Sequence, residues 1–157
     1  MQYQILKAAT ILSLVVALTS TFAVAPAAAD SFGSIKVDVP FDFTAADHRI
    51  LPAGKYTIQS AGMNGNGVIR IISEDGKASV FLSTNSAQSI RSKDETVVIF
   101  HRYGDQYFLF QVWAIGDNFG SEIPTSSIER QAARAIEANK GQSARGSEIA
   151  TVIIAAT

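Results

Sequence analysis

Thr96-Val97-Val98-Ile99-Phe100-His101-Arg102-Tyr103-Gly104-Asp105-Gln106-Tyr107-Phe108-Leu109-Phe110-Gln111-Val112-Trp113-Ala114-Ile115 is the stretch on which the fold turns. Two runs rich in β-branched and aromatic residues, Thr96 to Tyr103 and Gln106 to Ile115, flank Gly104-Asp105. That two-residue spacing, with glycine first, predicts a hairpin closed by a type II′ turn. In this register Tyr103 faces Gln106, His101 faces Phe108, Ile99 faces Phe110 and Val97 faces Val112 on one side. On the other, Arg102 faces Tyr107, Phe100 faces Leu109 and Thr96 faces Trp113. A sheet with one wet face alternates apolar and polar residues cleanly, and here both faces are largely apolar. The hairpin is therefore expected at the centre of a sheet, covered on each side by another sheet, a helix or a partner subunit.

Upstream, Ile35, Val37, Val39, Phe41 and Phe43 alternate with Lys36, Asp38, Pro40 and Asp42, the period of a half-buried strand. Pro40 cannot donate to a ladder, which places the strand at an edge or its proline on an unpaired side. Thr44 to Ile50 reads as a connection. Leu51-Pro52-Ala53-Gly54 carries turn residues and leads into a strand at Lys55–Gln59. Asn64-Gly65-Asn66-Gly67 then predicts a hairpin turn into Val68–Ile72. Glu74-Asp75-Gly76-Lys77 provides the next turn before Ser79–Ser83, and the polar stretch from Thr84 to Glu95 reads as a loop.

Downstream of Pro124 the period changes. Ser126 with Glu129 three residues later forms a capping box, and Ile128, Ala132, Ala135 and Ile136 recur at helical spacing. One amphipathic helix is predicted over Ser127–Lys140, with a mostly alanine stripe that lies close to a sheet but buries little area. Gln142 to Ser147 reads as a polar linker, and Ile149 to Ile154 as a last strand. The sum is a mainly β domain, an antiparallel sandwich or small barrel of about seven strands with one helix in the C-terminal half.

The amino-terminal residues belong to a different class of signal. Lys7, the apolar run Ala8–Leu18 and the small-residue stretch ending Ala27-Ala28-Ala29 form a secretory signal peptide pattern, with an A-x-A site that predicts cleavage before Asp30. Residues 1–29 are thus read as the signal peptide and 30–157 as one domain, exported to the periplasm or beyond. The sequence has 157 residues and no cysteine, so the domain must rest on packing without disulfides, and thiolate zinc sites are excluded. Thirteen Lys and Arg against 14 Asp and Glu give a net charge of −1, without the basic footprint of a nucleic-acid binder. No segment after the leader approaches the ~20 apolar residues of a spanning helix.

The chain resembles a group of small exported proteins of acidobacterial-type soil bacteria. The resemblance is carried by Val39-Pro40-Phe41-Asp42-Phe43, Leu51-Pro52-Ala53-Gly54-Lys55-Tyr56-Thr57-Ile58, Phe100-His101-Arg102-Tyr103-Gly104-Asp105-Gln106-Tyr107-Phe108-Leu109, and the helix after Glu122-Ile123-Pro124. It implies export and attaches no activity, ligand or catalytic residue. The Leu-Pro-Ala-Gly-Lys-Tyr-Thr segment is also similar to hairpins of many secreted β-sandwich modules.

Candidate chemistry begins with the histidines. His48, beside Asp47 and near Asp42, and His101 could join carboxylates around a metal, yet no H-x-H or H-x-x-x-H spacing gathers them, and no metal or other cofactor is predicted. No G-x-S-x-G elbow supports a hydrolase, and Gly62–Gly67 lacks the lysine and helix of a phosphate loop. The acidic pairs Glu74-Asp75 and Asp94-Glu95 read as solvated turn charges. The aromatic series Tyr103, Tyr107, Phe108, Phe110 and Trp113 reads first as core, and second as a stacking platform for a sugar-like or apolar ligand. With Arg102, Asp105 and Gln106 at the hairpin tip, Arg102, Tyr103, Asp105, Tyr107 and Trp113 are the candidate ligand-binding residues. The expected function is a non-enzymatic binding or interaction module, with a barrel-type carrier of a small ligand and a hydrolase or metal-dependent enzyme as rivals. A second copy or an envelope protein is the expected macromolecular partner, covering the doubly apolar hairpin or the edge of the Pro40 strand.

Overall fold

The computed structural model describes residues 33–46, 49–62, 67–139 and 149–157. The proposed leader, Asp47, His48, the Asn64–Asn66 turn, Lys140 and the Gln142–Ser147 linker lie outside the described residues. The strands are β1 (Ser34–Val39), β2 (Phe43–Ala46), β3 (Arg49–Leu51), β4 (Gly54–Ser60), β5 (Val68–Ser73), β6 (Ser79–Ser83), β7 (Asn85–Gln88), β8 (Val97–Tyr103), β9 (Gln106–Trp113), β10 (Phe119–Glu122) and β11 (Ile149–Ala155), with helix α1 at Ser127–Asn139 before β11. Antiparallel β1-β4-β5-β6 form one sheet. A second runs β11-β8-β9-β10-β7, with β2 and β3 attached beside β9. The sheets stack as a sandwich and do not close into a barrel.

Side-chain alternation explains the stacking. Ile35, Val37 and Val39 of β1, Tyr56 and Ile58 of β4, Ile69 and Ile71 of β5, and Val80 and Leu82 of β6 all point inward. They meet Val98, Phe100, Leu109 and Val112 from the second sheet. Phe43 stands edge-on to both Tyr56 and Phe100, at 5.3 Å between ring centres, and so fastens β2 into the interface. Tyr56 donates its hydroxyl proton to the Pro52 carbonyl, and the Asp42 carboxylate accepts the Ala53 N–H at 2.8 Å, which together fix the Leu-Pro-Ala-Gly turn. At the β5–β6 turn the Asp75 carboxyl is held at about 2 by the Ser73 hydroxyl first, then by the Lys77 N–H and ammonium.

The central hairpin forms as expected, Gly104 taking a positive φ of 63° that only glycine adopts freely. Tyr103, Arg102, His101 and Phe100 pair with Gln106, Tyr107, Phe108 and Leu109. Beyond them the register departs from the simple alternation. A bulge leaves Phe110 as the extra residue, so Ile99 faces Gln111, Val98 faces Val112 and Val97 faces Trp113. Leu109 and Val112 reach the sandwich core, while Phe110 joins Ala87, Val97, Ile99 and Trp113 in a second cluster on the opposite face. The first sheet covers one face of the hairpin; on the other, α1 lies over the β8 residues near the turn, and farther along Val97, Ile99, Phe110 and Trp113 pack among themselves with Ala87 of β7.

Four elements were not readable as strands from hydrophobic period. The Thr44–Ile50 connection contains β2 and β3, the polar Thr84–Glu95 loop contains β7, and β10 precedes the helix. Each has only three or four residues, and each borrows its order from an existing edge rather than from its own apolar face. The Pro40 strand also ends sooner than its alternation suggests, because Pro40 stops β1 and Phe43 opens β2. β1 does lie at a sheet edge, where both backbone groups of Lys36 bond Thr157, at 2.6 and 2.9 Å, joining the two sheets at one corner.

Candidate functional site

Helix α1 starts where Ser126 Oγ accepts the Glu129 N–H at 3.1 Å, one half of the expected capping box. The other half is absent, because the Glu129 side chain turns inward to the sheet. Glu129 is 5% exposed. Its Oε1 accepts a hydrogen bond from His101 Nδ1 at 2.7 Å and another from the Tyr103 hydroxyl at 3.2 Å. His101 and Tyr103 lie two residues apart on β8 and therefore share a face, and the helix brings the carboxylate over both. Phe110 stacks on the His101 ring at 3.8 Å, and Phe108 stands edge-on to Tyr103 at 5.6 Å. Burial first, then the Glu129 charge and hydrogen bond, push the Tyr103 phenol up to about 12.

This arrangement rotates the helix relative to the sequence expectation. Glu129 and Ile136 are its buried residues, Ala132 and Ala133 are half-buried, and Ala135 is exposed. A buried carboxylate replaces an apolar anchor in the first turn, so the helix docks through hydrogen bonds from an imidazole and a phenol to that carboxylate, beside small apolar contacts.

The five candidate ligand-binding residues do not form one site. Arg102 donates from Nε to the Gly104 carbonyl at 2.7 Å, lies 3.9 Å from Asp105 Oδ1, and covers the Tyr107 ring at 5.6 Å. Tyr107 stacks on Phe41 at 3.8 Å. Tyr103 is on the opposite face, bound to Glu129. Trp113 sits at the far end of β9, where its Nε1 donates to Gln111 Oε1 and Lys93 lies 4.7 Å over its ring. Gly120 lies directly against the Trp113 indole, so close that a Cβ there would come within 2.6 Å of the ring. Thus Arg102 holds the turn, and Tyr103, Tyr107 and Trp113 are anchored in three separate packing arrangements.

Three of the candidates border shared surfaces: Asp105 lines one open groove with Tyr103 and a second with Tyr107. Asp105 and Tyr107, with Gln106, line a groove of about 360 Å³ together with Ile50, Phe108 and Ile128. Nearer the start of the helix, Phe81 of β6, Phe108 of β9 and Ser126, Ser127 and Arg130 line an open cleft of about 390 Å³. Arg130 already donates to the Thr125 carbonyl at 2.6 Å there.

Glu129 is the residue that sequence reasoning missed. Its capping-box spacing was visible, but the partners of its carboxylate are 26 and 28 residues away. Among the described residues no group of three or more His, Asp or Glu side chains converges as a metal site, and no helix is long and apolar enough to cross a membrane. No family model, curated protein or solved structure matches the chain.

Proposed function

We propose that this chain is an exported, non-enzymatic binding or interaction module of the bacterial envelope. The leader pattern supports export. The observation that carries the rest is the use made of the hairpin's reactive and aromatic side chains. His101 and Tyr103 are committed to Glu129, Tyr107 to Phe41, and Trp113 to Gly120, so they build a rigid two-sided scaffold. A scaffold whose best chemical groups serve packing offers its surface, rather than a reaction centre, to its partner.

A second reading is favoured by the groove between Ile50, Asp105, Gln106, Tyr107, Phe108 and Ile128. Its size and mixed lining suit a small apolar ligand held by one or two polar groups. Native mass spectrometry of Asp30–Thr157, exported to a periplasm and purified without denaturation, separates the two. The module predicts whole multiples of the protomer mass. A stoichiometric organic or metal adduct overturns it in favour of a carrier or a metal protein.

A further inference from the structure

The two sheets end in four principal edges, and three of them are closed to further pairing by their own composition or neighbours. β1 carries Lys36 and Asp38 and has Lys36 sealed by Thr157; β7 is four residues of Asn-Ser-Ala-Gln; β6 has five residues and lies beside β2. Charge, brevity and cover are the usual ways in which proteins blunt an edge.

The fourth edge, β11, has neither charge nor brevity, and its cover is confined to its carboxy-terminal end, where β1 meets it through Lys36 and Thr157. It runs seven residues, Ile-Ala-Thr-Val-Ile-Ile-Ala, without charge, proline or bulge, and among the described residues no strand pairs with its outer side. Ile153 is 60% exposed there.

The directions of its backbone groups follow from two bonds at its end. Ala156 N–H donates to Thr96 O, on the β8 side, and Thr157 N–H donates to Lys36 O, on the other side. Alternation along an antiparallel strand then points the N–H and C=O groups of Ile149, Thr151, Ile153 and Ala155 outward, away from β8. Thr157 is already occupied by Lys36, so those four residues are the open set.

We propose that β11 pairs antiparallel with β11 of a second copy, about a two-fold axis through Val152. This register opposes Thr151 to Ile153 of the partner subunit and Ile149 to Ala155 of the partner subunit, and engages all four open residues. A shift centred on Ile153 would need Thr157, and one centred on Thr151 would leave Ala155 without a described partner. The register also keeps faces in step. Half-buried Val152, Ile154 and Ala150 continue the core side across the axis, and exposed Thr151 and Ile153 meet each other on the outer side. An isologous edge sets each residue near its own copy, so any charge on it would be repelled; a strand without charge is the composition that self-pairing requires. The inference concerns β11 alone and holds whether the remaining surface binds a macromolecule or a small ligand.

The absence of cysteine makes the register directly testable. Val152 sits on the proposed axis in a non-hydrogen-bonded pair, where Cα atoms approach to about 4.5 Å, within the span of a disulfide. Mature Val152→Cys is expected to cross-link to a dimer under mild oxidation, and Ile154→Cys, displaced from the axis, to stay uncross-linked. Sedimentation equilibrium of the unmodified chain should give a dimer. Ile153→Pro removes only an outward N–H, and Ile153→Lys places a charge on the edge; both should sediment as monomers with an unchanged far-ultraviolet spectrum. A monomeric parent chain, an open-ended polymer, equal cross-linking of both cysteine variants, or a dimer indifferent to Ile153→Lys overturns the proposal. If Ile153→Pro unfolds, Ile153→Lys and the cysteine pair decide the matter alone.

Discussion

At the scale of single residues, Glu129 concentrates the tension of the structure. A carboxylate is buried because two donors on one strand meet it, and removing it would strand both His101 and Tyr103. Glu129→Ala should cost about 1.5–3 kcal/mol, the worth of hydrogen bonds to a charged group, read as a lowered urea midpoint with unchanged strand content. Tyr103 reports the same contact by titration. Its phenol is raised in the folded chain, so its contribution to stability is complete below the ordinary value near 10 and is lost as pH rises through about 12. Absorbance at alkaline pH should show this late titration, and in Glu129→Gln it should move part of the way back towards 10, burial still holding it up. Neither contact was legible beforehand. Ser126 and Glu129 did mark the start of the helix, but a local cap signal carries no information about a strand 26 residues upstream. Arg102 and Asp105 were legible as neighbours at the hairpin tip; Tyr107 and Trp113 were legible as aromatic mass, and only the fold separated their positions.

Among the elements, β9 shows most clearly where periodicity stops being informative. Its residues are apolar on both faces, so inserting one extra residue leaves the pattern equally apolar, and the bulge at Phe110 has no signature in the sequence. The bulge nevertheless sets the far end of the strand. It turns Trp113 towards the second cluster, opposite Gly120 of β10, where the indole fills the space a side chain would occupy. Gly120→Ala should therefore destabilise by about 1–3 kcal/mol through overpacking and alter the tryptophan fluorescence of the folded state. A variant with parental stability and emission would show that the indole can move aside. The long strands and α1 were legible because their apolar periods span most of their length. β2, β3, β7 and β10 were not, since three or four residues paired to an edge need no period of their own.

For the molecule as a whole, the mainly β class, the antiparallel pairing and the position of the helix all followed from alternation, turn residues and one cap. The choice of sandwich over barrel did not, because it depends on which edges meet, and strands far apart in sequence decide that. Deleting residues 149–157 removes β11 from β8 and Thr157 from Lys36. Such a chain is expected to lose the cooperative thermal transition and bind a hydrophobic dye; a sharp transition and no dye binding would show that the sandwich stands without its last strand. The bridge between Lys36 and Thr157 has a further consequence for timing. It joins segments from opposite ends of the described chain, so the seam between the sheets is sewn only after the residues between them can fold back on one another. Early hairpins can form and dissolve on the way. The sandwich is completed only when β11 has docked, so closing this longest loop is the late step of folding.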